Sequence, residues 1–174
     1  NLEIDALKIL KKSINKSFDK AVNTIVNCQS KIILCGVGKS GLIAAKIAST
    51  LSSVGSPAFS LSANDCLHGD LGSITKKDIL ILISNSGKSE EIIPIIKFAN
   101  RNKIKLIGIV SKKNSFLYKG SDIRILLPEV KESGLGVVPT SSTSIQLAIG
   151  DALAVAALKK KQFSLSLIHI SEPT

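Results

Sequence analysis

Short apolar runs alternate along the chain with longer segments in which apolar residues recur every three or four positions. Runs of this length that are mostly apolar are typical of parallel strands covered on both faces. A recurrence of three and four places apolar side chains on one face of a helix. The predicted strands are residues 31–35, 57–61, 78–83, 104–110 and 122–127. The predicted helices are residues 2–29, 39–54, 90–102 and 145–158.

This repeated strand–helix order predicts an α/β fold with a parallel sheet. In such sheets, ligands bind beyond the carboxyl ends of the strands, so the loops after the strands are the place to look for chemistry. We expect one domain over residues 1–163. Residues 164–174 (SLSLIHISEPT) fit no strand or helix pattern, and we expect them to be an unrelated, disordered tail.

Composition narrows the classes of protein that the chain can represent. Of 174 residues, 23 are Lys or Arg and 13 are Asp or Glu, which gives a net charge of +10. The lysines are scattered and aromatic residues make up only 3% of the chain, which argues against nucleic-acid binding and is compatible with an anionic small substrate. No apolar stretch reaches 18 residues and no signal peptide opens the chain, so we predict a cytoplasmic protein without a membrane span.

The metal-ligating residue types are sparse. The three cysteines form no CxxC pair, and only two histidines occur, one of them in the tail. A Cys/His zinc site is therefore not expected. An odd number of free thiols is typical of a reducing compartment, which also favours the cytoplasm.

The loop at residues 36–41 (GVGKSG) follows a predicted strand and precedes a predicted helix. Its spacing lets backbone N–H groups approach an anion at the helix N-terminus, although a tight turn that needs glycines would give the same pattern. A dinucleotide-binding fold would need an acidic residue at the end of the second strand, where residues 60–62 (SLS) stand instead. A P-loop would need glycine at position 33, which is Ile33.

Two further loops carry more hydroxyl groups than a helix cap needs. Residues 84–91 (SNSGKSEE) follow a buried strand, and residues 139–144 (PTSSTS) precede the last helix. Hydroxyls together with helix N-terminal amides can hold a phosphate, whereas an ordinary cap needs one serine. Both loops are therefore predicted phosphate or sugar sites.

Three titratable residues in the loops that follow the strands are candidates for catalysis. His68 lies in a glycine-flanked loop beside Asp70, whereas a lone histidine is more often structural. Glu91 is the last residue of the first hydroxyl-rich loop and Glu132 precedes the second, and either could act as a base, although a surface glutamate is usually only a solvated charge.

The motifs GVGKSG, HGDLG, SNSGKSEE and PTSST occur in this order, followed by GDALAVAAL. Together they resemble the sugar-isomerase (SIS) domain of the arabinose 5-phosphate isomerases over residues 1–163. The resemblance implies a three-layer α-β-α sandwich with a five-stranded parallel sheet. It implies conversion between D-arabinose 5-phosphate and D-ribulose 5-phosphate, the entry to 3-deoxy-manno-octulosonate (Kdo) and lipopolysaccharide. It also implies no cofactor and a homo-oligomer, a dimer or tetramer, whose sites a neighbouring chain completes.

The resemblance also implies which residues form the site. The catalytic residues carried over by motif are Lys39, His68, Glu91 and Glu132. The expected substrate-binding residues are Ser40, Gly55, Ser56, Ser84, Asn85, Ser86, Ser89, Thr140, Ser141, Ser142 and Thr143. Ser62 stands where some members have a metal-linked histidine, so no metal site is expected.

Aldose–ketose isomerisation moves a proton between two neighbouring carbons through a cis-enediol. We expect a glutamate to act as the carbon base, with its pKa raised by partial burial. Lys39 is expected to stabilise the developing oxyanion. His68 is expected to open the sugar ring or to carry the oxygen proton.

The chain departs from the family pattern in ways that leave alternatives open. Family members usually have an SHPGG segment after the last helix, with an essential histidine, and often two CBS domains; neither occurs here. Lys88 replaces an acidic residue, and one residue is missing between Glu132 and Pro139. The chain could thus be an isomerase inactivated by truncation or a sugar-phosphate sensor. A nucleotide-dependent oxidoreductase is a third alternative, which the missing acidic residue opposes.

Overall fold

The computed structural model describes residues 1–161 and contains a five-stranded parallel sheet with helices on both faces. The strands are β1 (Ile32–Gly36), β2 (Ala58–Ser62), β3 (Ile79–Ser84), β4 (Lys105–Val110) and β5 (Ile123–Leu126). The helices are α1 (Leu2–Ser13), α2 (Lys16–Val26), α3 (Lys39–Ser53), α4 (Ala63–Leu67), α5 (Ile92–Arg101), α6 (Phe116–Gly120) and α7 (Ser141–Lys160). Short 3-10 turns cover Asp70–Ser73 and Gly134–Gly136.

The strands lie in the order β2-β1-β3-β4-β5, and every pair is parallel. The chain moves outward in one direction from β1 to β2 and in the other from β3 to β5. The carboxyl ends of β1 and β3 therefore flank the point where the direction of winding changes, which is where open α/β sheets bind ligands. The predicted fold class and the parallel five-stranded sheet are confirmed.

Two apolar cores give the molecule its three layers. One core packs α1, α2, α3 and α7 against one face of the sheet. The other packs α4, α5 and α6 against the opposite face. Every residue of β1 and of β3 is buried, as expected for strands that are covered on both sides.

The predicted helix at residues 2–29 is wrong in one respect, because the structure divides it into α1 and α2. Ile14 adopts an extended conformation, and the Asn15 side chain accepts a hydrogen bond of 2.9 Å from the backbone N–H of Ser17. Asparagine is a preferred residue at the start of a helix, so Asn15 begins α2. Apolar spacing continues across this break, which is why the pattern alone predicts one helix.

The last helix begins four residues earlier than predicted and includes part of the hydroxyl run. Helices α4 and α6 are too short to give a periodic signal, and they were not predicted.

Helix α7 is, by length and composition alone, long and apolar enough to cross a membrane, but half of it is buried against its neighbours, as in a core helix. The predicted tail lies outside the described residues.

Candidate active site

The loops GVGKSG and SNSGKSEE lie side by side at the carboxyl edge of the sheet. They follow β1 and β3, which are paired in register with Gly36 opposite Ile83. Helix α3 begins within the first loop, at Lys39, and α5 begins directly after the second. The two predicted ligand loops are thus brought together at the change of winding direction.

Close packing explains the first glycine of the GVGKSG loop. A Cβ atom on Gly36 would lie 2.7 Å from the carbonyl carbon of Ser40, and Gly38 has a positive φ of 58°. Lys39 is the first residue of α3 and its side chain is exposed. The Ser40 hydroxyl donates a 3.2 Å hydrogen bond to Oε1 of Gln146, which is buried in α7.

The SNSGKSEE loop is held by hydrogen bonds within itself and to the loop after β4. The Ser84 Oγ accepts a 2.9 Å hydrogen bond from the Gly87 N–H, and the Ser86 Oγ accepts one from the Lys88 N–H. The Ser111 hydroxyl donates to Oδ1 of Asn85 at 2.7 Å. A hydroxyl oxygen that accepts from the backbone can still donate its own hydrogen, so Ser84 and Ser86 remain possible donors to a phosphate.

Glu132 caps the N-terminus of α7. Its Oε2 accepts hydrogen bonds from the backbone N–H groups of Thr140 (2.8 Å) and Ser142 (3.1 Å) and from the Thr140 hydroxyl (3.2 Å). Burial raises the pKa of Glu132, but these bonds and one from the Ser142 hydroxyl together lower that pKa below its ordinary value. The expected rise in a glutamate pKa is therefore wrong for Glu132, since its hydrogen bonds favour the ionised form.

The same geometry changes the interpretation of the PTSSTS loop. Two of the backbone donors predicted to hold a phosphate, in Thr140 and Ser142, already bind a carboxylate. The Thr143 hydroxyl donates to the Thr140 carbonyl. The Ser141 hydroxyl is buried and has no hydrogen-bond partner within the described residues. This loop holds Glu132 in place, and only part of it is available to a ligand.

The four predicted catalytic residues follow four different strands. Lys39 follows β1, His68 follows α4 beyond β2, Glu91 precedes α5 beyond β3, and Glu132 lies beyond β5. In the single chain, the side chains of Lys39, His68 and Glu91 are exposed, whereas Glu132 is half-buried. The Ser40–Gln146 hydrogen bond joins the first turn of α3 to α7, so Lys39 and Glu132 belong to segments that meet at this edge.

Two predicted substrate-binding residues lie elsewhere. Helix α3 runs back across the sheet, so Gly55 and Ser56, just beyond its end, lie at the opposite edge, before β2. There the Lys161 ammonium group donates to the Gly55 carbonyl (3.1 Å) and to the Ser56 hydroxyl (2.9 Å). Within one chain, the structure does not bring this pair to the other predicted site residues.

Sequence reasoning missed Gln146 and Ser111. Each lies outside the two ligand loops and forms a hydrogen bond with a side chain of one of them. Gln146 had a detectable signal, because it is a polar residue among the apolar positions of the predicted last helix. Ser111 had no such signal in the sequence except that it follows a predicted strand. Among residues 1–161, no cluster of three or more His, Cys, Asp or Glu side chains is placed to hold a metal ion.

Comparison with known proteins finds relatives that are named arabinose 5-phosphate isomerase. It is 42% identical to the arabinose 5-phosphate isomerase KdsD of Yersinia pestis, over 99% of this chain and 53% of that protein. It is 43% identical to the KdsD of Francisella tularensis, over 99% of this chain and 54% of that protein. The chain thus spans about half the length of the curated relatives it matches.

An Escherichia coli CFT073 protein solved in complex with arabinose 5-phosphate has the same fold, with a TM-score of 0.93 and 34% identity. The match covers 98% of this chain and 92% of that one. The profile of the SIS domain matches residues 25–156, which include β1 to β5 and most of α7. The chain belongs to the SIS-domain family.

Proposed function

We propose that this chain is an aldose–ketose isomerase domain that interconverts D-arabinose 5-phosphate and D-ribulose 5-phosphate. The observation that carries the proposal is the placement of the SNSGKSEE loop beside the GVGKSG loop, on paired strands at the carboxyl edge of the sheet. The two loops contain serine hydroxyl groups together with Lys39 and Glu91. The named KdsD relatives and the protein bound to arabinose 5-phosphate support the same substrate class.

The phosphate of the substrate is assigned to the serine loop. Ser84, Ser86 and Ser89 supply hydroxyl donors where β3 ends and α5 begins. Helix N-termini favour bound anions because of their free N–H groups and dipole. Binding energy from this non-reacting phosphate would position C1 and C2 of the sugar for proton transfer.

Glu91 is the better candidate for the carbon base, because Glu132 is already occupied by three donors at α7. The Glu91 side chain makes no capping hydrogen bond at the start of α5. In the forward direction, Glu91 would remove the C2 proton of the open-chain aldose, which gives an enediolate. Return of a proton to C1, with transfer of the O2 proton to O1, completes the ketose.

The remaining roles follow from charge and position. Lys39 would stabilise the negative charge that develops on the enediolate oxygens. His68 would open the sugar ring or carry the proton between the two oxygens. Glu132, ionised and fixed at α7, would hold the PTSSTS loop in place and set the charge around the substrate.

A sugar-phosphate-binding module without turnover is the second candidate. The observation that favours it is the hydrogen bonding of Glu132, which engages one of the two predicted bases in the structure itself. Binding of D-arabinose 5-phosphate without conversion would support this alternative and contradict the isomerase proposal.

The decisive experiment is a coupled assay with D-ribulose 5-phosphate on the wild-type chain and on Glu91→Gln. Glu90→Gln is the matched control, because Glu90 is the exposed neighbouring glutamate. We expect Glu91→Gln to lower kcat by about 10²–10⁴-fold, since it removes the general base, and the control to stay within about twofold. Circular dichroism and thermal melting check that each variant folds. Near-normal turnover in Glu91→Gln would remove that residue from the mechanism.

Cellular context and assembly are part of the proposal. We place the chain in the cytoplasm, supported by three free cysteines that include the buried Cys35 and Cys66. We assign its product to Kdo and lipopolysaccharide synthesis, as the KdsD names of the relatives suggest. A homo-oligomer would cover the exposed side chains of Lys39, His68 and Glu91 and exclude water from the reaction.

A further inference from the structure

A basic cavity lies beside the SNSGKSEE loop. It has a volume of about 480 Å³ and opens between the loops that follow β3, β4 and β5. Its charged lining residues are Lys88, Lys112, Lys113 and Glu129. None of these residues has a part in the isomerisation proposed above. The volume is within the range that small-molecule sites occupy.

The cavity has an excess of positive charge. Lys112 forms an ion pair of 2.8 Å with Glu129, and this pair is exposed at the rim. Lys88 and Lys113 have no ion-pair partner among residues 1–161. Two uncompensated ammonium groups in a concave surface concentrate positive potential and attract multiply charged anions.

The cavity shares a wall with the substrate loop. Lys88 belongs to the SNSGKSEE loop itself. Ser111, which lines the cavity, donates to Asn85 of that loop twice, from its backbone N–H (3.1 Å) and from its hydroxyl (2.7 Å). A ligand that binds Lys88 or moves Ser111 would therefore act on the residues assigned to the substrate phosphate.

We propose that this cavity is an effector site for a compact polyphosphate anion, such as pyrophosphate, and that its occupation weakens binding of the sugar phosphate. The weakening follows from like charge, because two phosphate-bearing ligands would lie on either side of one loop. The effect on turnover rests on the proposed function, whereas the binding of the anion does not.

Titration calorimetry with pyrophosphate at fixed ionic strength tests the site directly on the full chain. We expect the double variant Lys88→Ala/Lys113→Ala to weaken pyrophosphate binding at least tenfold. Lys119→Ala, an exposed lysine on α6 outside the cavity, is the matched control and should stay within about twofold. Ser86→Ala, in the substrate loop, should also leave the affinity unchanged. Loss of binding in Ser86→Ala but not in the double variant would place pyrophosphate in the substrate loop and overturn the proposal, as would absence of binding.

Kinetics provide the second test. In the wild type and in Lys119→Ala, saturating pyrophosphate should raise the KM for D-ribulose 5-phosphate several-fold with little change in kcat. In Lys113→Ala, the KM without pyrophosphate should be unchanged, and a higher pyrophosphate concentration should be needed to reach half of the rise. An unchanged half-effect concentration in Lys113→Ala would overturn the effector role. A chain without turnover would contradict the proposed function alone, because calorimetry still decides whether the cavity binds the anion.

Discussion

The carboxylate of Asp78 joins the starts of the two central strands. Its Oδ2 accepts hydrogen bonds from the Lys31 ammonium group (2.8 Å) and from the Thr75 backbone N–H (2.7 Å), and its Oδ1 accepts from the Lys31 N–H (3.3 Å). Burial raises the pKa of Asp78, but hydrogen bonds from Lys31, Thr75 and Ser30 outweigh it and lower the pKa to about 2. Asp78 therefore contributes stability in its ionised form.

We predict that this contribution is present above about pH 4, near the pKa of an unfolded aspartate, and is lost as the pH falls toward about 2. Asp78→Asn should lower the free energy of unfolding at neutral pH by about 1–3 kcal/mol, because buried donors lose a charged acceptor. It should also flatten the decline between pH 4 and 2. Urea unfolding at several pH values measures both effects. Asp19→Asn, an exposed residue of α2, is the control, and equal losses in the two variants would refute the prediction.

Gly87 is required by the shape of the serine loop. Its φ is +64°, and a Cβ atom there would lie 2.6 Å from Cβ of Ser115 and 2.7 Å from Cγ2 of Val110. We predict that Gly87→Ala costs about 1–3 kcal/mol of stability through backbone strain and overpacking. It should also raise the KM for D-ribulose 5-phosphate, because the loop moves.

The control for Gly87→Ala is Gly72→Ala, where an added Cβ meets no atom within 4 Å and the backbone has no positive φ. Thermal unfolding and steady-state kinetics compare the two variants. If Gly87→Ala melted and reacted like Gly72→Ala, the serine loop would not need glycine at this position.

At the residue scale, motif spacing predicted the position of the two ligand loops but not the hydrogen bonding within them. The sequence places Glu132 near residues 139–144. The structure was needed to show that backbone N–H groups of these residues donate hydrogen bonds to its carboxylate. Gly55 and Ser56 show that a motif match can also mislead about position. Their motif match says nothing about the edge of the sheet at which the residues lie, which the direction of α3 decides.

Among the helices, α7 joins the two edges of the sheet. Its N-terminus is capped by Glu132, and the residue after its last turn, Lys161, contacts Ser56 at the opposite edge. It packs against α1, α2 and α3 on one face of the sheet. The conformation of the PTSSTS loop therefore depends on a cap made by a single carboxylate.

We predict that Glu132→Gln lowers the free energy of unfolding by about 1 kcal/mol, the usual scale of a helix cap and its charge. Because the pKa of Glu132 is lowered in the folded protein, its contribution is present at neutral pH. It is lost as the pH falls through that lowered value. Denaturation of wild type and variant at pH 7 and under acidic conditions measures the difference. Equal stabilities at pH 7 would show that the cap is dispensable.

The strands and helices were predicted correctly where an apolar pattern extends over many residues. The prediction failed where a single residue ends or begins a helix. Strands β1 and β3 are continuous apolar runs, and their burial follows directly from that. The break between α1 and α2 depends on one asparagine side chain, and α4 contains only five residues. Apolar spacing averages over such local hydrogen bonds and cannot detect them.

On the scale of the whole molecule, α1 has more apolar surface than the domain covers. Ala6 and Leu10 are buried in the core, whereas Ile4 is 55% exposed and Leu7 is 41% exposed. The expectation of a homo-oligomer stays a prediction, and we propose that this face of α1 contributes to it.

Light scattering coupled to size-exclusion chromatography tests this prediction. The wild-type chain should elute with a mass that is a multiple of 18.4 kDa. Ile4→Lys/Leu7→Lys should shift it toward the single-chain mass, because charge at an apolar interface opposes association. Lys8→Ala, on the same helix, is the control. A monomeric wild type would contradict the prediction of a homo-oligomer.

The architecture of the molecule followed from the order of its strands and helices, since α/β chains have few ways to cover a parallel sheet. The relation between α7 and the two edges of the sheet could not be predicted, because it depends on where each helix packs. Assembly could not be predicted from residue patterns beyond an apolar helix face.

Strands β1 and β3 carry both ligand loops and contain no exposed residue. Their amide hydrogens should therefore be among the slowest in the molecule to exchange with deuterated solvent, because exchange there requires global opening. The loops above them contain several exposed residues and can open locally at small cost. The loops can therefore open for substrate while the two strands stay closed. Hydrogen exchange should show rapidly exchanging amides in the loops directly beside slowly exchanging amides in the strands.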